Sequence, residues 1–251
     1  MKIFFVAVFD NENKSTNNSQ ARGFENAGHE VVRYSFRDRG TVIGENNRDL
    51  ELVDVVNSAN PDLIVFSKCA EISLSTFEQI CQKWKTCYWY MDPLSSLRDD
   101  YLDKAKLCTY AVTAIPNTLD SFLSVNKNSF LVYEGFDHTV DKPRKEEKEF
   151  DVSFIGSLHT DRLKILSDLK PNVVNITGAF GETHSQAVAM SRINLNVSTS
   201  GAASDRVFKV MAAGGFLMSS DWDGRDEMFE AGTDIVIFED KDDLQKKITY
   251  F

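Results

Sequence analysis

Cysteine and histidine are scarce in this chain, and each scarcity closes off a class of protein. The four cysteines, Cys69, Cys81, Cys87 and Cys108, lie in one half of the sequence, and no two have CxxC spacing. That argues against a thiolate zinc site or a disulfide scaffold and leaves free thiols in a reducing, cytoplasmic setting as the expectation. His29, His138, His159 and His184 share no ligand spacing, and the acidic stretch "DWDGRDEMFE" lacks the calcium-loop pattern, so no metal site is expected. No apolar run approaches the ~20 residues that span a bilayer. The opening "MKIFFVAVFDNENK" is not followed by a small-residue cleavage site, so it reads as a first strand and not as a leader. Cations are also in deficit. The 28 Lys and Arg against 38 Asp and Glu leave a formal charge of -10, which disfavours broad nucleic-acid binding but not a local basic cleft. The loop after the first strand has no GxGxxG fingerprint.

What the sequence does have is alternation. Nearly continuous apolar runs such as "KIFFVAVF", "DLIVFSK", "TCYWYMDP" and "FDVSFIGS" take turns with amphipathic stretches such as "LELVDVVNSANP" and "STFEQICQKW". Runs of that kind predict strands buried on both faces, and the alternation predicts a parallel α/β architecture. Ser75 and Glu78 have capping-box spacing at the start of "STFEQICQKW". The run "DKPRKEEKE" is dense in charge and nearly free of apolar residues, so it is the candidate linker. The expected division is residues 1–140, a hinge at 141–149, and residues 150–251.

The stretch "STSGAASDRVFKVMAAGG" poses a question. Arg206 and Lys209 stand three residues apart near the start of an expected helix, where the macrodipole prefers anions. A bound phosphate would account for them. Ser200, Gly201 and Ala202 are small enough for a diphosphate to approach the backbone, and Arg206 would add a charge-assisted fork.

The segment "RVFKVMAAGGFLMSSDWDGRDEMFEAGTDIVIFEDKDDLQKKITYF" resembles the C-terminal part of the group-1 glycosyltransferases, in particular their CgeB-like branch. "DVSFIGSLHTDRLKIL" and "EGFDHTVDKP" fit the same pattern. The resemblance implies a GT-B fold, with two Rossmann-like domains whose parallel sheets face across a cleft. It implies a nucleotide diphosphate sugar as donor, held mainly by the second domain, a hydroxyl acceptor, and no essential metal or cofactor. Gly156, Ser157 and Arg162 would join the donor loop, with His159 beside them. Two positions depart from the family pattern. Lys209 stands where a Glu usually holds the ribose hydroxyls, and Gly201 stands where an acidic residue is usual. On the acceptor side, Asp92 is the candidate to orient or deprotonate the hydroxyl, the alternative being a plain Asp-Pro turn. Asp10, at the end of the first strand, is a second candidate contact, and Glu134 is read as structural. The acceptor is left open between a glycan, a small molecule and a hydroxymethylated DNA base of the phage type, as is self-association. A non-catalytic nucleotide-sugar-binding module is the rival reading.

Overall fold

A computed structural model describes the chain except for residues 11–14 and 199–200. The chain divides into two compact units, Met1–Tyr133 and Glu134–Phe251. The charged run Asp141–Glu149 lies inside the second, where Asp141 is buried.

The first unit runs β1 (Lys2–Ala7), α1 (Thr16–Asn26), β2 (Glu30–Ser35), α2 (Phe36–Ile43), α3 (Glu45–Ala59), β3 (Leu63–Ser67), α4 (Leu74–Cys81), β4 (Thr86–Tyr90), α5 (Asp99–Leu107), β5 (Tyr110–Thr113), α6 (Leu119–Val125) and β6 (Ser129–Leu131). Its six strands are all parallel, in the order β2-β1-β3-β4-β5-β6. The apolar runs lie where burial on two faces requires them. Every residue of β1 from Ile3 to Ala7 is buried, as are Ile64, Val65 and Phe66 of β3. Aromatics dominate one face: Phe66 and Phe77 have ring centroids 4.3 Å apart, with Tyr88 and Phe122 in the same core. Each such side chain contributes about 1.5–3 kcal/mol of burial. Two of the three aromatics in "CYWYMD", Tyr88 and Tyr90, are fully buried core residues.

Two local readings differ. Helix α4 is capped by Ser73, whose side chain accepts from the Thr76 amide, so the Ser75–Glu78 spacing is not a capping box. Helix α2 carries no apolar stripe that would announce it. It forms against α3, where a Cβ on Gly40 would stand 3.2 Å from the buried Arg48 side chain.

The second unit runs β7 (Phe150–Ile155), α7 (Thr160–Leu166), β8 (Val174–Ile176), α8 (Glu182–Met190), β9 (Ser191–Asn196), α9 (Asp205–Ala212), β10 (Leu217–Ser220), β11 (Val236–Phe238) and α10 (Lys241–Tyr250). Its strands are again all parallel, in the order β11-β10-β9-β7-β8. In each unit the first strand sends its successor to one side and the third strand to the other. The topological switch points therefore lie between β1 and β3 and between β7 and β9. Open α/β sheets bind ligands in the crevice outside the strand C-termini at such points.

Candidate functional site: two arginines on one phenylalanine

The side chain of Arg206, from the first turn of α9, spans the switch point of the second sheet. Its Nε donates to the carbonyl of Ile155, the last residue of β7, at 2.6 Å, and its Nη1 donates to Asn196 Oδ1, at the end of β9, at 2.8 Å. Its guanidinium carbon lies 4.6 Å from the centroid of Phe154. Arg162, from α7, arrives at the same ring at 5.3 Å. It donates from Nη1 to the Ser157 carbonyl at 2.9 Å and from Nε to the Val197 carbonyl at 3.4 Å. Among the described residues neither guanidinium has a carboxylate within ion-pair distance, so carbonyls, an amide and a ring solvate two positive charges. Burial, then the neighbouring Arg162, pulls the Arg206 guanidinium down to about 10, against the opposing pull of Asp205. Burial alone pulls Arg162 below its ordinary range. Both stay cationic at neutral pH. A desolvated like-charge pair of this kind is costly unless something anionic completes it.

Two residues set this geometry. Gly156, at φ +144°, leaves room for the guanidinium: a Cβ there would stand 2.5 Å from Arg206 Nη2. Asn196 is fully buried. Its Oδ1 also accepts from Ser204 Oγ at 3.2 Å, and its Nδ2 donates to Ser219 Oγ at 2.9 Å, so the amide is held from three sides. The sequence marks Asn196 only weakly, since "INLN" carries two asparagines, Asn194 and Asn196, among its apolar residues.

Lys209 goes elsewhere. Its Nζ pairs with Asp205 Oδ2, one turn back on α9, at 2.6 Å. Burial pulls the ammonium down, but Asp205, Asp141 and Glu134 together outweigh it and hold the group above its ordinary value. Asp141, in turn, is pushed up by burial, against the Asp137 amide that donates to it at 2.9 Å and against Lys209. The spacing that puts Arg206 and Lys209 on one helical face thus delivers them to different partners. His184, on α8, is buried, and its Nδ1 has no partner among the described residues. Burial and then Lys209 push its imidazole down to about 4, with Arg206 adding to this and Asp205 opposing.

The other expected donor residues are placed as follows. Gly156 and Ser157 form the turn after β7, with Ser157 exposed, and His159 is exposed just before α7. Gly201, at φ +67°, accepts at its carbonyl from the Asp223 amide at 3.0 Å, and Ala202 is buried. Ser200 lies outside the described residues.

In the first unit, Asp92 follows β4 and is held by Lys68 Nζ at 2.9 and 3.1 Å. Asp10 follows β1. Its Oδ2 accepts from the Ser15 amide at 2.6 Å and from Asn18 Nδ2 at 3.3 Å, so it organises the start of α1. Ser67 Oγ donates to Asn17 Oδ1 at 2.8 Å, which ties β3 to α1. Lys68 is a second residue the sequence did not announce. It and Cys69 are consecutive non-glycine residues at φ +58° and +53°. Backbone strain of this kind, about 1–2 kcal/mol per residue, is held only where surroundings enforce it. Here the buried ammonium of Lys104 donates to the carbonyls of Cys69 and Ala70 at 3.0 and 2.7 Å, and Arg48 donates to that of Glu71 at 2.6 Å.

Among the described residues, no group of three His, Cys, Asp or Glu side chains could hold a metal ion. In the same set no helix is long and apolar enough to cross a membrane.

Residues 138–251 match a family model described as glycosyl transferase-like. No curated protein matches the chain. Among solved structures, the chain is similar to an alpha-glucosyltransferase in complex with UDP and a 13-mer DNA containing an HMU base, with a TM-score of 0.68, 10% identity, and coverage of 100% of this chain and 90% of that one. It is similar to a sucrose-phosphate synthase from Thermosynechococcus elongatus, with a TM-score of 0.66, 11% identity, and coverage of 99% and 89%. It is also similar to a UDP-GlcNAc 2-epimerase from Methanocaldococcus jannaschii, with a TM-score of 0.59, 12% identity, and coverage of 100% and 92%. The two parallel-sheet α/β units thus match structures of the GT-B glycosyltransferase fold.

Proposed function

We propose that the chain is a glycosyltransferase that moves a sugar from a nucleotide diphosphate sugar to a hydroxyl acceptor. The observation that carries this reading is the pair Arg162 and Arg206, two guanidinium groups against one phenylalanine ring at the switch point, with no carboxylate at ion-pair distance from either among the described residues. A diphosphate supplies the two negative charges that such a pair needs, and its charge grows as the sugar departs. Cations fixed beforehand around a developing anion are the largest single source of catalysis in many enzymes. In this role Arg162 and Arg206 stabilise the leaving diphosphate without requiring a metal. The backbone amides around Gly156 and at the start of α9 add partial positive charge.

Asp92 serves the acceptor side. Its carboxylate, oriented by Lys68, can accept a hydrogen bond from an attacking hydroxyl. Lys209 is a structural cation in this reading and not a phosphate ligand, because Asp205, Asp141 and Glu134 already occupy its field.

The test is turnover. Purified protein is incubated with UDP-, GDP-, ADP- and dTDP-sugars, and release of the nucleoside diphosphate is followed with simple glycosides as acceptors. Release with one donor, abolished in Arg206→Ala, supports the proposal. Binding of a nucleotide with no turnover on any acceptor would instead leave a nucleotide-sugar-binding module. A second reading of the acceptor follows from the DNA-bound alpha-glucosyltransferase to which the chain is similar. Under it, the hydroxyl belongs to a hydroxymethylated base, and transfer to an oligonucleotide carrying that base falls steeply with salt.

A further inference from the structure

Two of the four cysteines are within reach of each other. Cys81 and Cys108 are 27 positions apart in sequence, yet their Sγ atoms stand 3.7 Å apart. Cys81 is the last residue of α4 and partly exposed, while Cys108 follows α5 and is buried. The setting activates one of them. Thr86 Oγ1 donates to Cys81 Sγ at 3.4 Å. That hydroxyl oxygen also accepts from the Thr109 amide at 3.0 Å, and the Thr86 amide donates to Thr109 Oγ1 at 3.0 Å. The reciprocal threonine clamp fixes the hydroxyl so that its hydrogen points at sulfur. The contact with the Cys108 sulfur, and then the Thr86 hydroxyl, hold the Cys81 thiol below its usual range against burial. The other two cysteines have no such help. Burial pushes Cys87 up to about 12 and raises Cys69 as well. A thiolate is the reactive form, so the four are not equivalent.

We propose that Cys81 and Cys108 are a reversible oxidation site, with a hydroperoxide as the oxidant and an intramolecular disulfide as the product. The Cys81 thiolate attacks the distal peroxide oxygen. An S–O bond forms, the O–O bond breaks, and the leaving hydroxide departs as water (as an alcohol for an organic peroxide) with the proton that the thiol gave up. Cys108 sulfur then attacks the Cys81 sulfenic sulfur. The S–S bond forms, the S–O bond breaks, and hydroxide leaves as water with the Cys108 proton. Both sulfurs are oxidised by one electron each, and the peroxide takes up both electrons.

The bond would tie together two helices that share a task. Helix α4 follows the turn at residues 68–73, and α5 carries Lys104, whose ammonium holds the carbonyls of Cys69 and Ala70 in that turn. Fixing the far ends of α4 and α5 to each other fixes the frame of the strained turn, and with it the Lys68–Asp92 pair.

The experiment uses the whole reduced chain, treated with increasing hydrogen peroxide, then digested without reductant and analysed by mass spectrometry. The expected product is one peptide pair joined through Cys81 and Cys108, lighter by two hydrogens and separated again by dithiothreitol. In Cys108→Ser, dimedone should trap a sulfenic acid on Cys81. In Cys81→Ser, the rate of Cys108 oxidation should fall at least tenfold, while Cys87→Ser leaves the cross-link unchanged. Hydrogen exchange of the amides over residues 68–73 should slow on oxidation of the wild type and not of Cys108→Ser. A cross-link through Cys87 or Cys69, a sulfenic acid on Cys81 that persists beside an intact Cys108, or four thiols oxidised at equal rates would each overturn the assignment.

Discussion

A Cβ on Gly156 would stand 2.5 Å from Nη2 of Arg206. The glycine after β7 and the arginine on α9 are therefore one structural unit, although they are 50 positions apart. Gly156→Ala is expected to act twice. It strains a backbone at φ +144° and drives the guanidinium from its place between Ile155 and Asn196. The expected cost is about 1–3 kcal/mol in urea unfolding, together with at least a tenfold loss of nucleotide affinity by calorimetry. An alanine variant with wild-type affinity would show that the guanidinium needs no such room.

Lys209→Glu restores the residue usual in the resembled family, yet it is expected to harm the protein. The new carboxylate enters a field already set by Asp205, Asp141 and Glu134. Breaking the pair and adding a like charge is expected to cost about 2–4 kcal/mol, with Lys209→Met costing less. Denaturant midpoints for the two variants decide this. A Glu variant as stable as wild type would contradict the placement of Lys209.

Asp92 separates function from stability. Its pair with Lys68 is more than a third exposed on both sides, so Asp92→Asn should change stability by under ~1 kcal/mol. Transfer to acceptor should fall by roughly a hundredfold if the carboxylate receives the hydroxyl proton. Nucleotide affinity, which the proposal assigns to the other unit, should not move. A fall in nucleotide affinity equal to the fall in transfer would remove Asp92 from the acceptor side.

His184 gives a pH signature. Its folded value of about 4 lies below the unfolded 6.5, because burial and then Lys209 disfavour the imidazolium. A depressed folded value means that the unfolded chain binds the proton first as pH falls. The contribution of His184 is thus fully present above about 6.5 and is lost progressively down to about 4. Wild type should lose about 1–3 kcal/mol more than His184→Asn over that window. Parallel pH-stability curves for the two would contradict a neutral, buried His184.

The strand and helix alternation was legible because parallel strands buried on both faces must be written as unbroken apolar runs. Helix α2 was not, since Phe36–Ile43 packs mainly through its close approach to α3 and needs no stripe. Ser75 has the spacing of a cap because Glu78 follows three residues on, yet Ser73 caps the helix by reaching the Thr76 amide. At the site, Arg206 was legible from a cation after a small-residue loop. Its partners were not, because Ile155 and Phe154 are brought to it by sheet pairing and not by sequence spacing. The partners of Lys209 are hidden for the same reason: Asp141, which helps to hold it, arrives from nearly seventy residues away.

The most direct test of the proposed donor site is a calorimetric titration of nucleoside diphosphates into wild type, Arg162→Ala, Arg206→Ala and the double variant. Two guanidiniums sharing one diphosphate predict a loss of about 1.5–3 kcal/mol for each single variant, roughly ten- to a hundredfold in affinity. The double variant should lose less than the sum, because the first loss already loosens the anion. Equal affinity across all four proteins would contradict the account and leave the arginine pair on Phe154 without a ligand.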